Sequence, residues 1–360
     1  MIHLHCTKKL RDFIGQPIEQ NPREPIALFS WYAHLITVNR RKMLVIINAN
    51  NRFPLIMYGL KKKDVHSISK TIQAVIQRTF STLGVDTTII NAYLQEAKEV
   101  VLLPATDRSI ISQLNQACTR AKLFAEESNL NLKSEITLLE KFLQHDIGTK
   151  DTKVIFFLEE MLSDLSLYYK KRAIRCRAIS MRVTLEMEEL SAWRHIVVPE
   201  HHTFAYFHHI LQEAFGWNDY HLHEFICHKE KRPLFSIGIA DDEFAEQTPW
   251  EYKDEQEVLL ADFLHTMDKI EYMYDFGDGW RHTIEVLKMV EDYDKTYPTC
   301  LAGEGNTPPE DVGGPWGYQE FLKIIADPEH PEYSNTVEWG EFQLYQEFSL
   351  EKTNWALRRL

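Results

Sequence analysis

The sequence predicts an α+β chain of two domains, each an antiparallel sheet packed with helices, joined by a helical connector. Three observations carry this reading. Apolar residues alternate with period two in several short runs and recur at helical spacing in others. Turn residues separate neighbouring alternating runs, which favours hairpins over long crossovers. The charge is also split. Up to Arg172 there are 24 Lys and Arg against 17 Asp and Glu, a net +7, and from Ala173 there are 16 against 36, a net −20. Seven of the eight tryptophans lie in the second part, and only Trp31 in the first. Two such compositions in 360 residues imply two cores. The expected boundaries are a basic domain over 1–128, a helical connector over 129–172 and an acidic domain over 173–360.

"IHLHC" opens the first domain as a strand. Thr7 is placed to cap a short helix that ends before Gly15. Three strands follow, Tyr32–Val38, Met43–Ile47 and Phe53–Tyr58, linked by Asn39–Lys42 and Asn48–Arg52, where asparagine suits a turn. After Gly59 the period changes. Val65, Ile68, Ile72, Val75, Ile76 and Phe80 mark a helix with Asp64 as its cap. Asp86 starts another helix, "VVLLP" is a strand, and Ile110, Ile111, Leu114, Ala117, Ala121 and Phe124 line one side of a further helix. "TKVIFFLEEMLSDLSLYYKKRA" reads as a connecting helix that docks on one domain.

In the second domain Ile179, Met181, Val183, Leu185 and Met187 alternate with polar residues, giving a strand with one buried face. "WRHIVVP" is the next strand. Thr203 caps "FAYFHHILQEAF", and Gly216 stands at its C-terminal stop. "HLHEFICH" and "FSIGI" are strands. Ile270, Tyr272, Tyr274 and Phe276 alternate in one strand and His282, Ile284 and Val286 in the next, with Asp278-Gly279 as a two-residue hairpin signal. A Gly- and Pro-rich loop leads to terminal helices.

The five cysteines are scattered, with no C-x-x-C pair, which suits a reducing cytoplasm and no zinc knuckle. No apolar run approaches the roughly 18 residues of a membrane span, and the N-terminus lacks a leader pattern. The expectation is a cytoplasmic protein with no membrane partner.

"YMYDFGDGWRHTIEV" is the most demanding stretch. Its D-F-G is not a kinase motif, because no glycine-rich loop, strand lysine or H-R-D loop precedes it. With "WRHIVVP", "FHHILQEAFGWNDYHLHEF", "CLAGEGNTPPEDVGGPWGYQEFL" and "DPEHPEY", it makes residues 173–360 resemble the plasmid pRiA ORF-three family, also labelled insertion-element passenger or TnpR-like proteins. On "HCTKKL", "WYAHLITVNRRKMLVIIN", "YGLKKKDV" and "DRSIISQLN", the first 127 residues resemble a small bacterial domain of unknown function. The resemblance implies an α+β fold and an association with bacterial mobile elements. It implies no established activity. The resolvase suggested by the TnpR label finds no support, since neither a serine- nor a tyrosine-recombinase set is present.

Read for chemistry, His221 and His223 share one face of a strand at i,i+2, Asp275, Asp278 and His282 flank a hairpin, and Glu310 and Asp311 sit in a rigid loop. Imidazole with carboxylate is what a divalent metal accepts, and such a metal activates water. Trp217, Trp280 and Trp316 are candidate cleft walls. The alternative is architectural. The glycines shape turns, Asp275 bonds backbone amides, the tryptophans pack, and His208 and His209 sit on the surface. "GEG" at Gly303–Gly305 lacks the G-K-[ST] of a phosphate loop.

Arg40, Arg41 and Lys42, with Lys61, Lys62 and Lys63, are candidate phosphate contacts, or else a solvated tip and loop. Two functions remain open. One is an accessory module contacting nucleic acid through the basic domain, or a basic protein partner through the acidic one. The other is a divalent-metal-dependent hydrolase or nuclease built on the His/Asp/Glu set.

Overall fold

A computed structural model describes residues 1–19, 24, 26–127, 139, 143, 147–150, 153–187, 190–239, 250–264 and 266–360. The chain divides into two units, Met1–Arg175 and Cys176–Leu360.

In the first unit β1 (Ile2–Cys6), α1 (Lys8–Ile14), β2 (Ser30–Val38), β3 (Arg41–Asn48) and β4 (Pro54–Tyr58) precede α2 (Lys62–His66), α3 (Ile68–Thr82) and α4 (Thr87–Glu96). Then come β5 (Val100–Pro104), α5 (Arg108–Glu127), the hairpin β6 (Ile147–Lys150) and β7 (Lys153–Phe156), and α6 (Phe157–Tyr169). The main sheet runs β4-β3-β2-β1-β5. It is not wholly antiparallel as expected: β1 pairs parallel with both β2 and β5. The cause is connectivity, since helix α1 carries the chain back before β2, and α2 to α4 do so before β5. One sheet face buries Trp31, Leu44 and Leu55 against α3, α4 and α6. The other buries Tyr32, Val45 and Ile56 against α5. Helix α6 sinks Leu158, Met161 and Leu165 into the first of these cores, so it docks on this unit.

The turn from β2 to β3 is a two-residue hairpin. Val38 faces Arg41, and Asn39 and Arg40 both have left-handed φ, 45° and 62°. Asp64 does not begin the long helix. Its carboxylate accepts the Lys61 amide at 2.7 Å and closes the separate short helix α2.

In the second unit the elements are β8 (Cys176–Glu186), β9 (Ser191–Pro199), α7 (Phe204–Phe215), β10 (His223–Lys229), β11 (Arg232–Gly238), β12 (Glu251–Asp254) and α8 (Leu260–Phe263). They continue with β13 (Lys269–Tyr274), β14 (Trp280–Tyr293), β15 (Thr299–Glu304), α9 (Gly314–Ala326), α10 (Tyr333–Phe342) and α11 (Leu350–Leu357). The sheet runs β12-β11-β10-β13-β14-β8-β9-β15, antiparallel except for the edge pair β11–β12. Helix α7 packs Phe204, Phe207, Leu211 and Phe215 on it. Thr203 caps this helix, and Gly216 ends it at φ 81°. The buried Arg194 donates to the carbonyls of Trp193, Ala214, Glu304 and Gly305 and lies between the Phe215 and Phe348 rings. Its charge is thus held by carbonyl dipoles and ring faces rather than by a carboxylate.

The hairpin between β13 and β14 is longer than the two residues expected. Tyr274 faces Trp280, so the loop is Asp275–Gly279, and Phe276 lies in it rather than in the strand as expected. The Asp275 carboxylate accepts the Gly277 and Asp278 amides at 2.9 and 3.3 Å, and the Gly279 amide returns to the Asp275 carbonyl at 2.6 Å. That side-chain turn requires left-handed backbone at Asp275 (φ 54°) and Gly279 (φ 73°).

Candidate metal centre and histidine groove

Three segments converge where strand β10 begins and strand β13 ends. His221 precedes β10 rather than lying in it, so it does not share a strand face with His223. The hairpin loop brings Asp275, whose amide donates to the Leu222 carbonyl at 3.0 Å. The loop before α9 brings Glu310 and Asp311. It is tied to the hairpin by the Gly313 amide, which donates to Asp278 Oδ2 at 3.1 Å. Gly314 makes that approach possible, because a Cβ there would lie 2.8 Å from the Asp278 carbonyl oxygen. Asp278 is therefore a clasp between the loops.

His221 Nε2 lies 3.2 Å from Asp311 Oδ1, 3.7 Å from Asp275 Oδ2 and 3.9 Å from Glu310 Oε2. One donor atom each from His221, Asp275 and Asp311 lies within 4.8 Å of the others. Glu310 is 1% exposed. Its Oε1 accepts the Asn218 amide at 2.8 Å and the Tyr274 hydroxyl at 3.0 Å. Its Oε2, buried and turned toward His221, has no hydrogen-bond partner, and neither has His221 Nε2. Burial raises the Glu310 pKa, against the Asn218 and Tyr274 bonds and the His221 charge that lower it. Two carboxylate charges about 5 Å apart repel by about 1–3 kcal/mol at effective dielectrics of 80 to 20. One imidazole proton can bond one of these carboxylates, whereas a cation among them would bond all.

A second set lies beside it. His208 is buried on α7, not on the surface as expected, while His209 is exposed. His208 Nε2 meets Asp219 Oδ1 at 2.7 Å and Nδ1 meets the Tyr272 hydroxyl at 2.7 Å. Gln212 Nε2 donates to that hydroxyl at 3.0 Å. Burial lowers the His208 pKa to about 4, outweighing Asp219, so the neutral ring donates Nε2–H to Asp219 and accepts from Tyr272. His223 stacks on His208 with ring centroids 3.4 Å apart, and its Nε2 meets Glu255 Oε2 at 2.6 Å. His208, His209, Asp219, His221, His223 and Glu255 line one open groove of about 630 Å³. His208, His209 and Asp219 also present donor atoms within 4.8 Å of one another.

The remaining expected site residues lie elsewhere. His282 is fully buried against Phe215 and Trp217, its Nδ1 on the Tyr272 carbonyl at 3.2 Å, and burial lowers its pKa to about 3. It faces the core because β14 alternates and Ile284 shares its side. Trp280 is likewise wholly buried. Trp217 is buried, its ring tilted against Tyr274 with centroids 4.9 Å apart, and it donates to the Pro308 carbonyl. Trp316 is 76% exposed and belongs to a different groove.

The sequence reading missed His208, Asp219 and Glu255. The signal for His208 was its place on the stripe of Phe204, Leu211 and Phe215, which puts it on the buried side of α7. In the first unit, antiparallel pairing of β3 with β4 puts Lys42 beside the end of β4, and the Gly59 and Leu60 amides both donate to the Lys42 carbonyl. Arg40, Arg41 and Lys42 thus share one corner with Lys61, Lys62 and Lys63, all exposed except the half-buried Lys42.

Residues 177–354 match the family model described as plasmid pRiA4b ORF-3-like protein, and residues 3–156 match a domain of unknown function (DUF6933). The uncharacterized protein y4hQ of Sinorhizobium fredii (strain NBRC 101917 / NGR234) is 37% identical over 163 residues, covering 45% of this chain and 79% of the relative. A crystal structure of a protein of unknown function, MM3350 from Methanosarcina mazei Go1, is 33% identical. The match covers 49% of this chain and 96% of that one, with a TM-score of 0.42. Among the described residues no helix is long and apolar enough to cross a membrane.

Proposed function

The chain belongs to the plasmid pRiA4b ORF-3-like family through residues 177–354, and from that premise we propose that this part is a divalent-cation-dependent domain with the equipment for hydrolysis. One observation carries the reading. Glu310 Oε2 is buried without a hydrogen-bond partner and turned toward His221 Nε2, on which Asp275 and Asp311 also converge. His221, Asp275, Glu310 and Asp311 would hold the ion. One nitrogen with carboxylate oxygens suits Mn²⁺, Fe²⁺ or Zn²⁺. Such an ion lowers the pKa of a bound water and polarises a carbonyl. The chain's own part is to fix the carboxylates. Asn218 and Tyr274 hold Glu310, the Gly277 and Asp278 amides hold Asp275, and the Asp278–Gly313 bond keeps the two loops together. The adjoining groove leaves room for a substrate, with His208 and His223 along its wall.

Metal analysis of the purified protein, with Mn²⁺ and Zn²⁺ titrations of wild type and Asp275→Asn, tests this. Wild type should bind one ion stoichiometrically and the variant at least about tenfold more weakly. Equal binding, or none in wild type, refutes it.

A second reading concerns the first unit and is the accessory one. The basic corner of Arg40–Lys42 and Lys61–Lys63 would contact the phosphates of a nucleic acid, supported by the pairing that gathers both segments at one edge. Binding measured against salt, in wild type and in a Lys61/Lys62/Lys63→Ala variant, checks it. Removing three phosphate contacts should reduce the log–log slope by about 2–3, and an unchanged slope counts against it.

A further inference from the structure

Helices α9 and α10 enclose a second groove of about 420 Å³ in the acidic unit, separate from the histidine groove. Its apolar lining is Phe321, Ile324, Trp316 and Trp339, and its polar lining includes Glu320 and Glu332. Trp339 packs edge-on to Phe321, with ring centroids 5.8 Å apart, and is half-buried. Trp316 behaves differently. It stands on the first turn of α9 and is 76% exposed, although a tryptophan side chain is among the costliest to leave in water. Asp311 opens onto the same groove. Lys323 is the basic neighbour, 3.3 Å from Glu320 on the exposed surface.

We infer that this groove docks a basic peptide segment of a protein partner, with an arginine or lysine side chain laid on Trp316 and its charge met by Glu320 and Glu332. The argument is charge complementarity joined to shape. The region from Ala173 onward carries a net −20, and the groove combines an aromatic face with a carboxylate rim. Cations bind such faces best over tryptophan. The unit already uses the contact internally, with Arg182 4.1 Å from the Trp193 ring centre and Arg359 4.6 Å from that of Trp355. Trp316 presents the same ring, 76% exposed, at a place that a peptide can reach. This inference does not depend on the cation site, although Asp311 borders both.

The test is fluorescence anisotropy of labelled short peptides on the full chain: one alternating arginine with leucine, one alternating glutamate with leucine, and one alternating serine with leucine. The arginine peptide alone should bind. Trp316→Ala should weaken it about five- to tenfold, the loss of one well-placed cation–aromatic contact. Glu320→Lys/Glu332→Lys should weaken it further while leaving the thermal melt unchanged, and EDTA should change nothing. Equal binding of the serine or glutamate peptide overturns the inference. So does arginine-peptide binding that survives both variants, which would show attraction to the acidic surface at large. Concentration-dependent self-association that Trp316→Ala abolishes, with no peptide binding, would assign the groove to a second copy and overturn it too.

Discussion

Glu310→Gln separates a cation site from an architectural cluster. The substitution keeps the shape and the Oε1 acceptor used by Asn218 and Tyr274, but it removes a buried charge and a cation ligand. Without metal, the variant should be as stable as wild type or more so, because burial already disfavours this carboxylate's charge and Oε2 has no bond to lose. With metal the order reverses. An ion present at about 100 times its dissociation constant stabilises by about 2.7 kcal/mol. A variant whose affinity falls about a hundredfold keeps only about 0.4 kcal/mol. In a unit of this size 1 kcal/mol moves the midpoint by about 2–4 °C, so metal should raise wild type by roughly 5–11 °C and the variant by about 1–2 °C. Thermal melts with EDTA and with excess Mn²⁺ or Zn²⁺ measure both. If Glu310→Gln melts well below wild type in EDTA and neither responds to metal, the carboxylate is a structural acceptor and the cation reading fails.

Three other outcomes are expected. His282 is held neutral by burial with its pKa near 3, so its contribution is fully present above about pH 6.5 and is lost as pH falls from there toward 3. At pH 5 this loss is about 2 kcal/mol, and His282→Leu should flatten the decline of stability in acid, as read from denaturant melts. Gly279→Val should cost about 1–3 kcal/mol through backbone strain alone, because φ is 73° and a Cβ there meets nothing within 4 Å; an unchanged denaturation midpoint would contradict that backbone. Met1–Arg175 and Cys176–Leu360, expressed separately, should each melt cooperatively, since each carries its own core.

Much of the fold was legible because period and punctuation agreed. The alternation through Ile179–Leu185 gave β8, Thr203 and Gly216 bracketed α7, and Asn39 marked a tight turn. What could not be read was pairing between distant segments. Parallel addition of β1 to β2 leaves no local signal beyond a helix in between. The loop Asp275–Gly279 escaped because Asp-Gly is an adequate two-residue turn, and the deciding bond, from the Gly277 amide to the Asp275 carboxylate, is a side-chain one. Composition pointed to the loops that converge on His221 but could not phase them. His221 and His223, two residues apart, reach different carboxylates because the strand begins only at His223. His282 and Trp280 face inward by the alternation of β14, a constraint legible beforehand once their strand is phased on Ile284.

The groove's electrostatics bear on which bond such a domain would cleave. Its lining combines histidines, Asp219, Asp254 and Glu255 with no lysine or arginine among the described residues. Enzymes that cleave phosphodiesters set cationic side chains or metal ions against the charge that develops on the phosphoryl oxygens. Here an ion at His221 would be surrounded by Asp275, Glu310 and Asp311, whose three charges exceed its own when all are ionised. A polyanion would then meet net negative charge along the groove and at its end, and would be repelled. A neutral or cationic substrate meets no such barrier. Its carbonyl would be polarised by the ion, with the neutral His208 beside it, held by Asp219 and Tyr272. Under the proposed cation reading, this lining favours an amide or ester substrate over a phosphodiester, and the proposed contact with nucleic acid is left to the basic corner of the first unit.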